Sequence, residues 1–81
     1  MKKEKMKKTV ASLNGLIEFE YDGKYGNIES YYIPSTHSSK YLLFYDNKEI
    51  TLETAEQVLN TSFFNGKTLL DIAEKIEDFD Y

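Results

Sequence analysis

At 81 residues and 9.5 kDa the chain holds enough material for one small domain, since domains typically run to about 100–150 residues. Apolar types make up 41% and charged types 30%, an ordinary globular balance rather than the composition of a disordered segment. With no cysteine and no apolar stretch near the ~20 residues of a spanning helix, the composition excludes a disulfide scaffold, a thiolate metal site, a cysteine nucleophile, a membrane span and a multidomain enzyme.

The net charge of −4 conceals a split. Residues 1–8 carry five Lys and one Glu, or +4, whereas residues 9–81 carry five Lys against thirteen acids, or −8. The expectation is a flexible Lys-rich tail over 1–8 followed by a single domain over 9–81. The tail is not followed by an uninterrupted apolar run, because Ser12, Asn14, Gly15 and Glu18 intervene, so a secretory leader is not expected and a cytoplasmic location is. Every basic residue is Lys, and without Arg the chain lacks the guanidinium fork that recognises phosphate or guanine bidentately.

Hydropathy alternates along Leu16–Tyr21, with Ile17, Phe19 and Tyr21 on one face. Asp22-Gly23 then signals a two-residue hairpin, which pairs Tyr21 with Lys24, Phe19 with Gly26 and Ile17 with Ile28. In that register Phe19 covers the gap left by Gly26. The consecutive Tyr31, Tyr32 and Ile33 break the alternation and suggest a bulge or a strand end. Asn14-Gly15 is a second hairpin candidate, joining a short strand near residues 9–13 to the next. The segment from Pro34 to Ser39 reads as a loop, residues 40–45 as a central strand buried on both faces, and Glu49–Thr51 as a short strand.

Two helices complete the pattern. Thr51 is a candidate N-cap for Leu52–Leu59. Phe63 and Phe64 plug the core between the helices. Thr68 and Asp71 have capping-box spacing for a second helix, in which Leu69, Ile72, Ala73, Ile76 and Phe79 recur at helical intervals. The fold class is therefore α+β: an antiparallel sheet of three to four strands in a hairpin meander, packed on one face by two C-terminal helices. The other face is left open.

Several residue groups imitate functional motifs. Gly66-Lys67-Thr68 resembles the end of a phosphate-binding loop, but the motif needs another Gly where Thr61 stands, and no parallel strand–helix–strand frame surrounds it. Gly66 reads as a turn and Thr68 as a cap. His37, the single histidine, sits among Ser35, Thr36, Ser38 and Ser39 without a glycine-rich elbow or an orienting acid, and reads as an exposed loop residue. Glu74 and Asp78, four apart, could share a divalent cation on a helix, yet neither has a His partner or a calcium-loop frame. They read with Asp71 as a solvated acidic face. No metal and no cofactor are expected.

Recognition remains. The seven tyrosines, Tyr25, Tyr31 and Tyr32 among them, are natural tenants of an open sheet face, and Asp71, Glu74 and Asp78 mark an acidic helix. These six residues are the candidate interaction surface. The expected function is a small non-catalytic binding or regulatory module that buries aromatic anchors against a protein partner, with homodimerisation as one mode of action. A rival reading is a single-stranded nucleic-acid binder that stacks bases on sheet tyrosines and holds phosphates with the Lys-rich tail. An acidic mimic of nucleic-acid phosphates is a further alternative. Nucleic acid is the less favoured partner because the −8 body repels a polyanion, and neither an enzyme nor a membrane-bound protein is expected.

Overall fold

The computed structural model describes residues 2–80, with backbone alone for residues 77–80. In chain order the elements are helix α1 (Lys3–Ala11), strands β1 (Gly15–Tyr21), β2 (Lys24–Ile33), β3 (Ser38–Tyr45) and β4 (Lys48–Leu52), helices α2 (Ala55–Asn60) and α3 (Leu69–Ile72), a 3-10 turn over Ala73–Lys75, and strand β5 (Glu77–Asp80). The fold is α+β. Strands β1 to β4 form the expected antiparallel meander, and β5 adds a fifth strand, giving the order β4-β3-β2-β1-β5.

The first hairpin follows from its turn. Asp22 and Gly23 adopt φ of 54° and 74°, the left-handed pair that a two-residue loop matched to strand twist requires. The register is then fixed as Tyr21 against Lys24, Phe19 against Gly26 and Ile17 against Ile28. Phe19 fills the space over Gly26 so closely that a Cβ added there would lie 2.7 Å from Phe19 Cζ. The Asp46-Asn47 turn repeats the device between β3 and β4, with φ of 51° and 64°.

Alternation sorts the strands into two faces. Ile17, Phe19, Ile28, Tyr41, Leu43 and Tyr45 point inward and are buried. They meet Met6 and Val10 of α1, Val58 and Leu59 of α2, Phe64, and Leu69 and Ile72 of α3 in one hydrophobic cluster. Phe64 organises the aromatic centre, packing edge-on against Phe19 at 5.8 Å and Tyr45 at 5.5 Å. The Tyr45 hydroxyl donates to the Tyr21 carbonyl at 2.9 Å, so its polar end is satisfied at the rim. Among the described residues no buried side-chain nitrogen or oxygen lacks a partner.

Several expectations need correction. The Lys-rich segment is not a flexible tail, and residues 9–13 do not form a strand: Lys3–Ala11 is helical. Met6 and Val10, one helical turn apart, are fully buried, and their burial anchors the turn whose other faces carry the lysines. The strand break after Ile28 does not occur. Strand β2 runs unbroken to Ile33 and pairs with β3 throughout, while its pairing with β1 stops at Ser30, so Tyr31, Tyr32 and Ile33 extend beyond the β1 edge. Strand β3 is buried on one face only, since Leu42 and Phe44 are half-buried on the other.

The helices also depart from expectation. Strand β4 takes Thr51 and Leu52, and α2 is capped instead by Thr54, whose hydroxyl accepts from Gln57 N at 3.1 Å. Thr68 and Asp71 do form the reciprocal capping box, at 3.1 and 3.0 Å. The helix they open nevertheless lasts only Leu69–Ile72 before the 3-10 turn, and residues 77–80 leave it to pair with β1. The free backbone edge of β1 offers these residues hydrogen bonds that the helical spacing of Ile76 and Phe79 does not outweigh.

Candidate interaction surface

The helix layer covers the inward face, so among the described residues the opposite face of the sheet is open. Leu16, Glu18 and Glu20 of β1 lie there, with Tyr25, Asn27, Glu29, Tyr31 and Ile33 of β2, Lys40, Leu42 and Phe44 of β3, and Glu49 of β4. Leu16, Tyr25 and Tyr31 are 45%, 46% and 40% exposed, large values for apolar side chains. With half-buried Ile33, Leu42 and Phe44 they give this face its apolar surface; exposed Glu18 and Glu20 flank it on β1 and exposed Glu49 on β4, while exposed Glu29 stands at its centre, directly between Leu16 and Leu42.

Tyr25 is held in place. Its hydroxyl donates to Glu18 Oε2 at 2.7 Å and accepts from Asn27 Nδ2 at 3.0 Å, while its ring lies 6.0 Å from that of Phe44. The bond to the Glu18 carboxylate stabilises the neutral phenol and raises its pKa above the ordinary value of 10.0. A side chain already ordered in the free protein loses less entropy on binding. The cation on this face, Lys40, is paired with Glu53 at 3.1 Å, and Lys24 at the hairpin end is paired with Asp46, also at 3.1 Å.

The six candidate residues do not share one surface. Tyr25 and Tyr31 occupy the open face. Tyr32 points to the opposite side of β2, 57% exposed beyond the helix layer, where its hydroxyl meets His37 Nδ1 at 3.2 Å. Asp71 is committed to the capping box, and the bonds from Thr68 lower its pKa. Glu74 is exposed on the 3-10 turn. The side chain of Asp78 lies outside the described residues, but its backbone belongs to β5, so Glu74 and Asp78 are not one helical turn apart and the acidic helix does not exist as a continuous face. Among the described residues no group of three or more His, Asp or Glu is placed to hold a metal ion.

The other motif look-alikes find plain roles. Asn65 and Gly66 take positive φ in a tight turn closed by paired bonds between Phe64 and Lys67. Thr36 and Ser38 share a hydroxyl bond of 2.6 Å beside His37, and among the described residues no serine hydroxyl bonds the imidazole. Two surface concavities, one lined by Thr54, Glu56, Gln57, Asn60 and Thr61 and the other by Thr9, Ser12, Leu13, Asn14 and Leu16, contain no histidine. Among the described residues no helix is long and apolar enough to cross a membrane.

Leu16, Ile33, Leu42 and Phe44 were not among the residues singled out from sequence. The signal for Leu16 was present, because it shares parity with Glu18 and Glu20. Leu42 and Phe44 were hidden by the continuous apolar run of β3, which reads as buried on both sides. Compared with protein-family models, curated proteins and solved structures, the chain matches none of them.

Proposed function

We propose that this protein is a small non-catalytic binding module that acts by protein–protein contact through its open sheet face. The carrying observation is the uncovered band of Leu16, Tyr25, Tyr31, Leu42 and Phe44, with three of its large side chains at least 40% exposed and Tyr25 ordered in advance. Apolar and aromatic side chains set among carboxylates suit a recognition surface, in which aromatic anchors supply affinity and the charges select partners.

The carboxylates also set the partner's sign. Glu18, Glu20, Glu29 and Glu49 favour a cationic protein surface and disfavour the same face of a second copy, which would bring carboxylates against carboxylates. They oppose a nucleic acid as well. The exposed lysines of α1 belong to the helix layer, on the far side of the sheet from Tyr25 and Tyr31, so stacking and phosphate contacts do not converge. An acidic mimic of nucleic-acid phosphates is a narrower form of the same reading, distinguished by whether DNA or RNA competes for the partner.

The test is affinity capture from native lysate, with and without nuclease, comparing the wild type with a Leu16→Ser/Tyr31→Ser variant. A protein retained after nuclease, lost with the variant and released by salt supports the reading. Recovery that vanishes with nuclease, or that the variant leaves unchanged, refutes it.

A further inference from the structure

Strand β4 is an edge of the sheet, and among the described residues it pairs with β3 alone. Its backbone polarity follows from the turn before it. A two-residue loop with positive φ at Asp46 and Asn47 is flanked by a hydrogen-bonded pair, here Tyr45 and Lys48. Bonded and non-bonded pairs alternate along an antiparallel ladder, so Lys48, Ile50 and Leu52 bond toward β3. Glu49 and Thr51 therefore aim their N–H and C=O groups outward. Among the described residues no element covers this edge, and β4 has no proline and no bulge; its only guards are its short length and the charges of Lys48 and Glu49, while Glu49 and Thr51 are both exposed. The other edge differs, because β5 meets β1 with a register shift between Glu18 and Glu20 and reads Glu-Asp-Phe-Asp in sequence.

We propose that β4 pairs antiparallel with β4 of a second copy about a two-fold axis centred on Ile50, joining two five-stranded sheets into one of ten strands. Opposed residues in a sheet point to the same side, and a two-fold axis perpendicular to the sheet preserves that side, so the axis must pass through a residue rather than between two. Centring on Glu49 would oppose the two Glu49 carboxylates. Centring on Thr51 would oppose Glu49 to Glu53 of the second copy. Centring on Ile50 instead sets Glu49 against Thr51 of the second copy, twice, and uses every outward backbone group of both residues. It also brings the two half-buried Ile50 side chains together on the helix-covered side. The same axis leaves both open faces on one side of the assembly, so the dimer presents the acidic apolar band in duplicate.

Sedimentation of the full chain across a concentration series is expected to show a reversible transition from 9.5 kDa to twice that mass. Thr51→Pro removes an outward N–H without touching the bonds to β3, and should weaken the dimer at least about tenfold while circular dichroism stays native. Because the chain has no cysteine, Ile50→Cys reports the register directly: mild oxidation should link two copies, whereas Leu16→Cys on the open face should not. A monomer persisting to about 1 mM would overturn the proposal. Equal cross-linking of both cysteine variants, or none at Ile50→Cys, would overturn it too, even where Thr51→Pro fails to fold. The Leu16→Ser/Tyr31→Ser variant should dimerise normally, which separates failure of this edge pairing from failure of the open-face contact.

Discussion

Replacing Gly26 with alanine tests the tightest contact in the sheet. A Cβ at this position would stand 2.7 Å from Phe19 Cζ, 2.8 Å from Phe19 Cε2 and 3.1 Å from the Phe44 carbonyl oxygen. The backbone oxygen is fixed by the ladder, so relief must come from the Phe19 ring. That ring is 2% exposed and held edge-on by Phe64 at 5.8 Å, and Phe64 is itself packed against Phe63 at 5.4 Å and Tyr45 at 5.5 Å. Overpacking of this kind costs about 1–3 kcal/mol. Gly→Ala recovers about 0.4–1 kcal/mol by restricting the unfolded chain, which leaves a net loss between about 0 and 2.6 kcal/mol, about 1.3 kcal/mol at the midpoints of the two ranges. For a domain of this size the midpoint loss lowers Tm by roughly 5–10 °C. Urea unfolding followed by circular dichroism should show a lower midpoint with an unchanged m value. Adding Phe19→Leu should relieve the clash, so the double variant should be more stable than additivity predicts by about 1 kcal/mol or more. A stabilised Gly26→Ala, or strictly additive effects in the double variant, would refute the view that Phe19 and Gly26 interlock.

Met6→Ala should destabilise the protein by about 2–5 kcal/mol in the same assay, because Met6 is fully buried in the shared core; a flexible tail would tolerate the change. Thr68→Ala should cost about 1 kcal/mol through loss of the α3 cap. Asp71 has a lowered pKa, so its stabilising contribution is complete above the ordinary carboxylate value of 3.8 and fades as pH falls through the lower folded value; Asp71→Asn should flatten the acid limb of a stability-against-pH curve in that range. Glu18→Gln should return the Tyr25 phenol toward its ordinary pKa of 10.0, read as an earlier alkaline onset in an ultraviolet titration.

Local chemistry carried much of the fold into the sequence. Asp22-Gly23 dictates its turn because glycine tolerates positive φ and aspartate enters that region more readily than most residues, and the turn then sets every pairing from Tyr21–Lys24 to Ile17–Ile28. The inward parity of Ile17, Phe19 and Tyr21, the Thr68–Asp71 capping box and the turn at Gly66 are local in the same sense. Of the candidate surface, the outward Tyr25 was legible by parity, two residues from Asn27 and opposite Glu20 across the hairpin. Tyr31 was obscured because the run Tyr31-Tyr32-Ile33 carries no alternation, and only its pairing with β3 assigns a side to each residue.

What the tertiary structure alone decided were the places where a distant element competed with a local preference. The lysines of residues 2–8 dominate their segment's composition, and only the α2 and α3 surfaces make it worthwhile for Met6 and Val10 to order that segment as a helix. The apolar spacing through Phe79 favours a longer C-terminal helix, but the unpaired edge of β1, some sixty residues earlier in the chain, draws residues 77–80 into a strand. In the same way Leu42 and Phe44 belong to an open face because the described helices cover only one side of the sheet. Short-range periodicity records which conformations a segment favours; which one it adopts depends on the surfaces and unpaired backbone groups that the rest of the chain brings to it.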